Sequence, residues 1–376
     1  MPEKINTSVK VVKTWFILTI WLVSVHCLQA QRTSWIDFSQ SYFKISTAQD
    51  GIHRITYDQL NQASFPLSVV SSSSLRLYHH GVEQAIEVVD GGDSRLDSGD
   101  YIEFLGLRND GALDSDLYLT PEAQPHQFYN LYSDTTSYFL TWTPGVSGKR
   151  MDRYSLQDPG TPPVEFHWDE QLILLTSNYS AGRRYPIGNF GDTYKSQFDF
   201  GEGFTGKRIR NGSFLEYEFN PINHRFVGGP LPHLDVLLVG RNDGIHNVEL
   251  SVGTDGNLRS LGSAQFQHFD NYLFSSELMW TDIPAGGNLK LRISVTSGSS
   301  DQVSASYLSL RYSEQFEMDG IPQKTFELEV STENQVVVIN SIDAGAKIYD
   351  ITDRNNVGII AHQDLGSSIS TVVSYL

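Results

Sequence analysis

The chain has 376 residues, of which 39% are hydrophobic and 12% aromatic, and it carries a formal net charge of −17. Its length allows two or three domains with buried cores, and its hydrophobic content excludes an intrinsically disordered chain. A strongly acidic surface repels polyanions, so nucleic acid and anionic lipid are poor partners, whereas divalent cations are compatible with it. A simpler interpretation is that the acidity keeps the protein soluble.

The first thirty residues have the pattern of a secretory signal peptide. Three lysines precede an apolar run from Trp15 to Leu28, and the small residue Ala30 follows at a cleavage position. The run is about 14 residues long, whereas a membrane-spanning helix needs about 20, which favours cleavage over anchoring. Lipoprotein processing at Cys27 is an alternative that the bulky His26 disfavours. We therefore predict export to the periplasm, the outer-membrane surface or the medium, with no transmembrane span after cleavage.

Cysteine usage limits the chemistry of the mature chain. Cys27 is the only cysteine, so cleavage after Ala30 leaves none. Disulfides, thiolate metal sites and a cysteine nucleophile are then excluded. Cleavage also removes three lysines and one glutamate, so the net charge becomes −19.

Beyond residue 30 the sequence alternates with period two, which is typical of half-buried β-strands. Residues 74–79 and 82–89, separated by His80 and Gly81, predict a β-hairpin. Similar segments follow at 101–107 and 137–142. Together they predict an N-terminal β-domain over residues 31–155.

The densest cluster of chain-breaking residues lies at 156–163 and predicts a domain boundary. Alternating segments then continue, among them Leu289 to Val295, and they predict a two-sheet sandwich or jelly roll over residues 164–318. A third β-rich stretch at 323–376 predicts a further domain that is either small or truncated. The predicted fold class is therefore all-β, with tandem antiparallel domains.

Six segments of the mature chain carry a resemblance to a known family. They are 51–60 (GIHRITYDQL), 98–104 (SGDYIEF), 108–111 (RNDG), 130–142 (NLYSDTTSYFLTW), 201–204 (GEGF) and 348–353 (IYDITD). In order and spacing they resemble the N-terminal region of the PorU-type cell-surface sortases of the type IX secretion system in Bacteroidetes. That family belongs with the gingipain-like cysteine peptidases of the C25 group.

The resemblance implies a role without chemistry. In the family, a peptidase domain with a catalytic His and Cys follows the β-rich region, removes a C-terminal signal from exported cargo and attaches the cargo to surface lipopolysaccharide. This sequence ends about where that domain would begin, so the resemblance implies non-catalytic N-terminal β-domains with a docking or structural role. It implies no catalytic or cofactor-binding residues, and its partners would be other type IX outer-membrane components or a downstream peptidase domain. The alternative is a stand-alone exported β-sandwich that binds surface carbohydrate or protein.

Acidic residues cluster on the turns around the strand predicted at 101–107. The calcium candidates are Asp90, Asp93, Asp97 and Asp100, with Asp110, Asp114 and Asp116 beyond the strand. Calcium takes six to eight oxygen ligands from flexible acidic loops, which suits this composition. However, the spacing does not match a twelve-residue EF-hand loop, and aspartate also caps turns through its own side chain. Both interpretations stay open at this point.

Other motifs favour structural interpretations. Segment 201–207 satisfies a glycine-rich phosphate-binding pattern, but no helix is predicted after it, so we predict a β-turn. The histidines lack the spacing of zinc ligands. Four aromatic residues in a glycine-rich stretch are suited either to stacking on a sugar or peptide or to packing a long loop, and we favour packing. They are Tyr179, Tyr185, Phe190 and Tyr194.

Overall fold

The computed structural model describes residues 34–254, 256–296, 298 and 300–374. The predicted signal peptide, residues 1–30, lies outside the described residues. Within the described ranges, no helix is long and apolar enough to cross a membrane.

The fold is almost entirely antiparallel β-structure, which confirms the predicted class. One α-helix, α1 (Tyr57–Gln62), interrupts the strands of the described chain. A capping box starts it: the Thr56 hydroxyl accepts from the Gln59 backbone N–H at 3.3 Å, and the Gln59 side chain accepts from the Thr56 N–H at 2.9 Å. These bonds satisfy two backbone donors that the first helical turn leaves without partners.

The chain forms two compact units, and both are discontinuous in sequence. Unit 1 contains the described residues up to Leu107, together with Thr136–Asp152 and Asp350–Gly358. Unit 2 contains Arg108–Thr135, Arg153–Tyr349 and the described residues from Ile359 onward. The division into domains 31–155, 164–318 and 323–376 stays a prediction.

Unit 1 consists of two small antiparallel sheets, with strand orders β1-β7-β3-β4 and β2-β6-β5. Their strands are β1 (Phe43–Thr47), β2 (Gly51–Thr56), β3 (Leu75–His79), β4 (Val82–Gln84), β5 (Glu87–Val89), β6 (Tyr101–Gly106) and β7 (Thr136–Trp142). The hairpin of β3 and β4 is confirmed, and its turn has positive φ at both His80 (49°) and Gly81 (84°). This is the geometry of a tight hairpin turn that matches strand twist. The predicted return strand 82–89 is in fact two strands, because β5 pairs with β6 in the second sheet.

Unit 2 is built around a two-sheet sandwich. One sheet has the order β14-β21-β16-β19, with β9 also paired to β21, and the other has the order β15-β20-β17-β18. The strands are β9 (His167–Leu174), β14 (Ile209–Arg210), β15 (Phe214–Phe219), β16 (His233–Gly240), β17 (Ile245–Thr254), β18 (Asn257–Gln267), β19 (Asn271–Glu277), β20 (Leu289–Val295) and β21 (Gln302–Glu314).

The core of this sandwich follows from the alternation. In β20, Leu289, Leu291, Ile293 and Val295 are buried, and the residues between them are partly exposed. Burial of each such side chain contributes about 1.5–3 kcal/mol before conformational entropy is counted. Strand β20 therefore faces the core along one side, as its sequence predicts.

Shorter elements complete the described chain. Two small hairpins in unit 2 pair β10 (Asn178–Ala181) with β13 (Glu202–Thr205) and β11 (Tyr185–Pro186) with β12 (Asp192–Thr193). A three-stranded sheet contains β22 (Gln335–Asn340), β25 (His362–Asp364) and β26 (Ser368–Val373). Strands β8 (Asp152–Tyr154), β23 (Ile348–Asp350) and β24 (Gly358–Ile360) lie where the chain passes between units. Single 3₁₀ turns occupy Ser72–Ser74, Ser115–Leu117 and Pro121–Ala123.

Candidate functional site

The four predicted calcium ligands lie in the loop between β5 and β6 of unit 1, where the carboxylates of three of them bond to the backbone of the loop. Asp90 accepts from the Gly92 N–H at 3.0 Å and from the Ser72 hydroxyl. Asp93 accepts from the Arg95 N–H at 2.9 Å, and Asp100 accepts from the Asp97 N–H at 2.6 Å. These are the turn-capping bonds that short acidic side chains make with backbone two or three residues away.

No cluster of metal-ligating side chains forms in the ranges that the structure describes, when three or more His, Cys, Asp or Glu are required. The acidic residues after β6, at 110, 114 and 116, belong to unit 2. There, Asp114 is buried and accepts from the Asn130 amide at 2.8 and 2.7 Å. Burial raises the pKa of Asp114, and the Asn130 bond opposes that rise. The calcium site remains a prediction.

Three of the four aromatic residues, Tyr185, Phe190 and Tyr194, belong to the small hairpin of β11 and β12 in unit 2, which we call the projecting hairpin. At its tip, the Ile187 N–H donates to the Gly191 carbonyl at 2.7 Å, and the Phe190 N–H donates to the Ile187 carbonyl at 2.9 Å. Gly188 and Gly191 have φ values of 51° and 98°, which glycine adopts without strain. The Phe190 side chain is left 92% exposed. An aromatic ring so exposed packs against nothing in its own unit.

Polar contacts fix the base of this hairpin. The Tyr185 hydroxyl donates to Asp199 at 2.6 Å, which is the first cause of a raised pKa at Tyr185. The Lys195 ammonium lies 4.7 Å from the centre of the Tyr185 ring. Arg184 donates through Nε to the Tyr194 hydroxyl at 3.1 Å. Two of the four aromatic residues therefore hold the hairpin in place while a third, Phe190, projects from it.

Tyr179 belongs to a separate group, which we call the aromatic cluster (Tyr129, Tyr179 and Phe204). The Phe204 ring meets Tyr179 and Tyr129 edge to face, with centroids 5.4 and 5.6 Å apart. The Tyr129 hydroxyl donates to the Phe204 carbonyl and accepts from the Phe204 N–H, both at 3.1 Å. Edge-to-face pairs of this kind add stability beyond the area they bury.

A carboxylate lies beside the aromatic cluster. The Tyr179 hydroxyl donates to Glu202 at 2.8 Å, and the other Glu202 oxygen accepts from the Asp199 N–H at 3.1 Å. Burial raises the pKa of Glu202, and burial followed by the Glu202 bond raises that of Tyr179. Tyr179 is still 45% exposed. The arrangement presents an aromatic ring and a carboxylate to solvent together, which is suited to binding.

His126 packs against this cluster and stays neutral. Burial lowers its pKa to about 4, and its Nε2 lies 3.1 Å from the Ser306 hydroxyl. Its ring meets Tyr129 edge to face at 4.5 Å. A neutral imidazole held by a hydroxyl and by rings is a packing residue with a satisfied polar atom.

The glycine-rich segment 201–207 is a strand and turn. Gly201 and Gly203 have φ values of 70° and 134°, and the next regular element is the strand β14. Because no helix N-terminus follows it, the segment lacks the backbone donors of a phosphate cradle. The sequence singled out Tyr179 as a candidate binding residue and segment 201–207 as a turn, but it did not link Tyr179 with Glu202, Phe204 or Tyr129. These four residues meet only through the pairing of β10 with β13 and through segment 108–135 of unit 2.

Comparisons with known proteins support the fold. No family model and no curated protein matches the sequence. The dimeric latent form of PorU from Porphyromonas gingivalis is similar over 89% of this chain and 30% of that chain, with a TM-score of 0.60 and 14% identity. The chain therefore has a PorU-like fold and spans about 30% of the length of that PorU chain.

Carbohydrate-binding modules match more weakly. The CBM36-1 domain of a multidomain xylanase from the hindgut metagenome of Trinervitermes trinervoides covers 38% of this chain and 96% of its own length, with 14% identity and a TM-score of 0.24. A CBM36 module in complex with calcium and xylotriose covers 37% and 98%, with 14% identity and a TM-score of 0.23. Similarities of this strength carry no functional argument.

Proposed function

We propose that this chain provides the non-catalytic β-domains of a PorU-like type IX secretion sortase and has a docking or structural role in cargo processing at the cell surface. The observation that carries the proposal is the fold similarity to PorU over 89% of the chain. The same family is the one that the six sequence segments resemble.

The chemistry of the residues agrees with a role without catalysis. Gingipain-like peptidases use a cysteine nucleophile, and the single cysteine of this sequence is Cys27, inside the predicted signal peptide. The proposal therefore assigns the bond-breaking step to a different polypeptide segment. Binding surfaces are what this chain contributes.

The projecting hairpin is the part of unit 2 best suited to docking. Phe190 is almost fully exposed at its tip, and Ile187 beside it is 47% exposed. Burial of a large exposed aromatic side chain in a partner's pocket is the usual energetic centre of a protein interface. Because Tyr185 and Arg184 already hold the base of the hairpin, little conformational entropy is lost on binding.

The experiment measures binding of the exported protein to the peptidase-bearing PorU-like chain of the same bacterium by biolayer interferometry. We expect Phe190→Ser to weaken this binding by about tenfold or more, the loss that corresponds to an interface residue worth over 1 kcal/mol. Phe38→Ser is the matched control, since Phe38 is 88% exposed but lies in unit 1. Absence of binding by the unmodified protein, or an equal loss with both variants, would contradict the docking role.

A second assay tests the absence of catalysis. The purified protein is incubated with a cargo protein that carries its C-terminal signal, with and without the peptidase-bearing chain. We expect cleavage only when both are present. Cleavage by this chain alone would refute the assignment.

A stand-alone binding module is the second candidate, and the aromatic cluster favours it. An exposed tyrosine ring beside a carboxylate, as in Tyr179 and Glu202, provides the stacking face and the hydrogen-bond acceptor that sugars require. This candidate predicts affinity for a surface glycan in affinity gel electrophoresis, and loss of that affinity in Tyr179→Ala. If no glycan changes the migration of the protein, the carbohydrate-binding candidate is refuted and the docking role is the proposal that remains.

A further inference from the structure

A partly buried arginine in unit 2 has hydroxyl groups as partners and no carboxylate. Arg241 follows β16, and its Nη1 donates to the Thr205 hydroxyl at 2.8 Å and to the Ser304 hydroxyl at 3.1 Å. Thr205 and Ser304 are buried. In the described part of the chain, no acidic side chain is among the hydrogen-bond partners of this guanidinium. Its Nε and Nη2 groups are therefore left as donors for another ligand.

The charged neighbour of Arg241 is a second arginine. Burial, followed by repulsion from Arg208, lowers the pKa of Arg241 to about 10. At neutral pH the guanidinium thus remains protonated, and its positive charge is held next to another positive charge. A partly buried charge without an opposite partner is costly, because the protein replaces water without supplying a counter-charge.

A single glutamine of the sandwich holds both arginines in place. Gln302, the first residue of β21, accepts from Arg208 Nη1 through its side chain at 2.9 Å and from the Arg241 backbone N–H through its carbonyl at 2.9 Å. The exposed Lys207 adds a further positive charge next to Arg208 in sequence. Cations therefore converge on one end of β13, β16 and β21.

The chain has 44 acidic and 27 basic residues. Some of its arginines pair with carboxylates at close range: Arg54 with Glu103 at 2.6 Å, and Arg292 with Glu216 at 2.6 Å. Others, such as Arg225, donate to a backbone carbonyl. With so many acidic side chains available, an arginine pair that faces only hydroxyl and amide groups calls for an anion from outside the chain.

We propose that Arg208 and Arg241, with the hydroxyls of Thr205 and Ser304, form a binding site for a sulfate- or phosphate-type oxyanion. The guanidinium fork makes two parallel hydrogen bonds to such an anion, and two guanidinium groups can contact several of its oxygens. The hydroxyls orient the Arg241 fork, and Gln302 keeps Arg208 beside it. The anion is either a free ion or a sulfate or phosphate group carried on a saccharide. The site lies beyond the proposed docking role and does not depend on it.

The test is a titration of the exported protein with sodium sulfate and sodium phosphate by calorimetry, at an ionic strength held constant with sodium chloride. We expect saturable binding, weakened about 10- to 100-fold in Arg241→Met and in Arg208→Met, because each change removes hydrogen bonds to a charged ligand. Arg208 is exposed, so Arg208→Met tests the site even where loss of Arg241 impairs folding. Arg95→Met is the matched control, since Arg95 is an exposed arginine of unit 1.

Thermal unfolding provides the second readout. Sulfate stabilises most proteins through its exclusion from their surface, so the diagnostic quantity is the part of the sulfate-induced rise in Tm that Arg208→Met loses and Arg95→Met keeps. A comparison of dextran sulfate with neutral dextran distinguishes the source of the anion. If only dextran sulfate raises Tm in an arginine-dependent way, the ligand is a sulfate group carried on a saccharide. If inorganic sulfate does so, the ligand is the free ion. Equal effects of sulfate and chloride, or an effect that both arginine variants retain, would overturn the site.

Discussion

A buried carboxyl near the start of β9 makes the stability of the protein depend on pH, and substitution of that carboxyl should remove this dependence. Glu314 ends β21 and contacts the Lys324 ammonium at 2.7 Å, and the His167 imidazole lies 3.6 Å away. Burial raises the pKa of Glu314 from 4.5 to about 7, the Lys324 bond opposes this rise, and Asp169 adds to it. Burial also lowers the pKa of His167.

The sign of the effect follows from proton linkage. A carboxyl whose pKa is higher in the folded state binds its proton more tightly there, so its contribution to stability is fully present below pH 4.5 and is lost as the pH rises to about 7. Glutamine resembles the protonated carboxyl at every pH. The free energy of unfolding of Glu314→Gln should therefore rise relative to that of the unmodified protein between pH 5 and pH 8, by roughly 2–3 kcal/mol.

The assay is denaturant unfolding of both proteins at pH 5 and pH 8. Glu249→Gln is the matched control, because it removes one negative charge from an exposed position on β17 of the same unit. His167, whose pKa burial lowers, has the opposite pH dependence and is unchanged in both variants. A stability difference that is the same at both pH values, or smaller at pH 8, would refute the reasoning.

Two further predictions concern unit 1. Gly81 has φ of 84°, and a Cβ there would lie 2.9 Å from the Trp35 ring, whereas Gly91 has φ of 64° and open space around it. Gly81→Ala should therefore lower the free energy of unfolding by more than Gly91→Ala, beyond the backbone strain of about 1–2 kcal/mol that both share. Equal losses in the two variants would show that the Trp35 ring moves to accommodate the Cβ. Calcium binding by the loop 90–100 predicts heat on addition of CaCl₂ that Asp97→Ala combined with Asp100→Ala abolishes, and no heat from the unmodified protein would remove calcium from consideration.

Features with local causes could be predicted from the sequence. The alternation in β20 reports directly which side of a strand is buried, and the pair His80 and Gly81 supplies the positive φ values that a tight hairpin requires. What the sequence did not reveal is where a strand changes sheets. The residues 82–89 contain no Gly, Pro, Asn or Asp that would signal a turn, yet β4 and β5 pair with different partners. Strand pairing depends on long-range register, which a local pattern does not contain.

The aspartates at 90–100 and the proposed anion site differ in how far the sequence reveals them, again because a local pattern does not contain long-range contacts. The aspartates at 90–100 attract attention because they are close in sequence, and that closeness is also what lets Asp90, Asp93 and Asp100 bond to their own loop. The groups of the proposed anion site are far apart in sequence, at 205, 208, 241, 302 and 304, and only the meeting of β13, β16 and β21 brings them together. In a chain with an excess of acidic residues, a run of aspartates carries little information, whereas a partly buried arginine whose side-chain partners in the described chain are hydroxyls is a more informative feature. Such a feature becomes visible only when the partners of each charge are known in three dimensions.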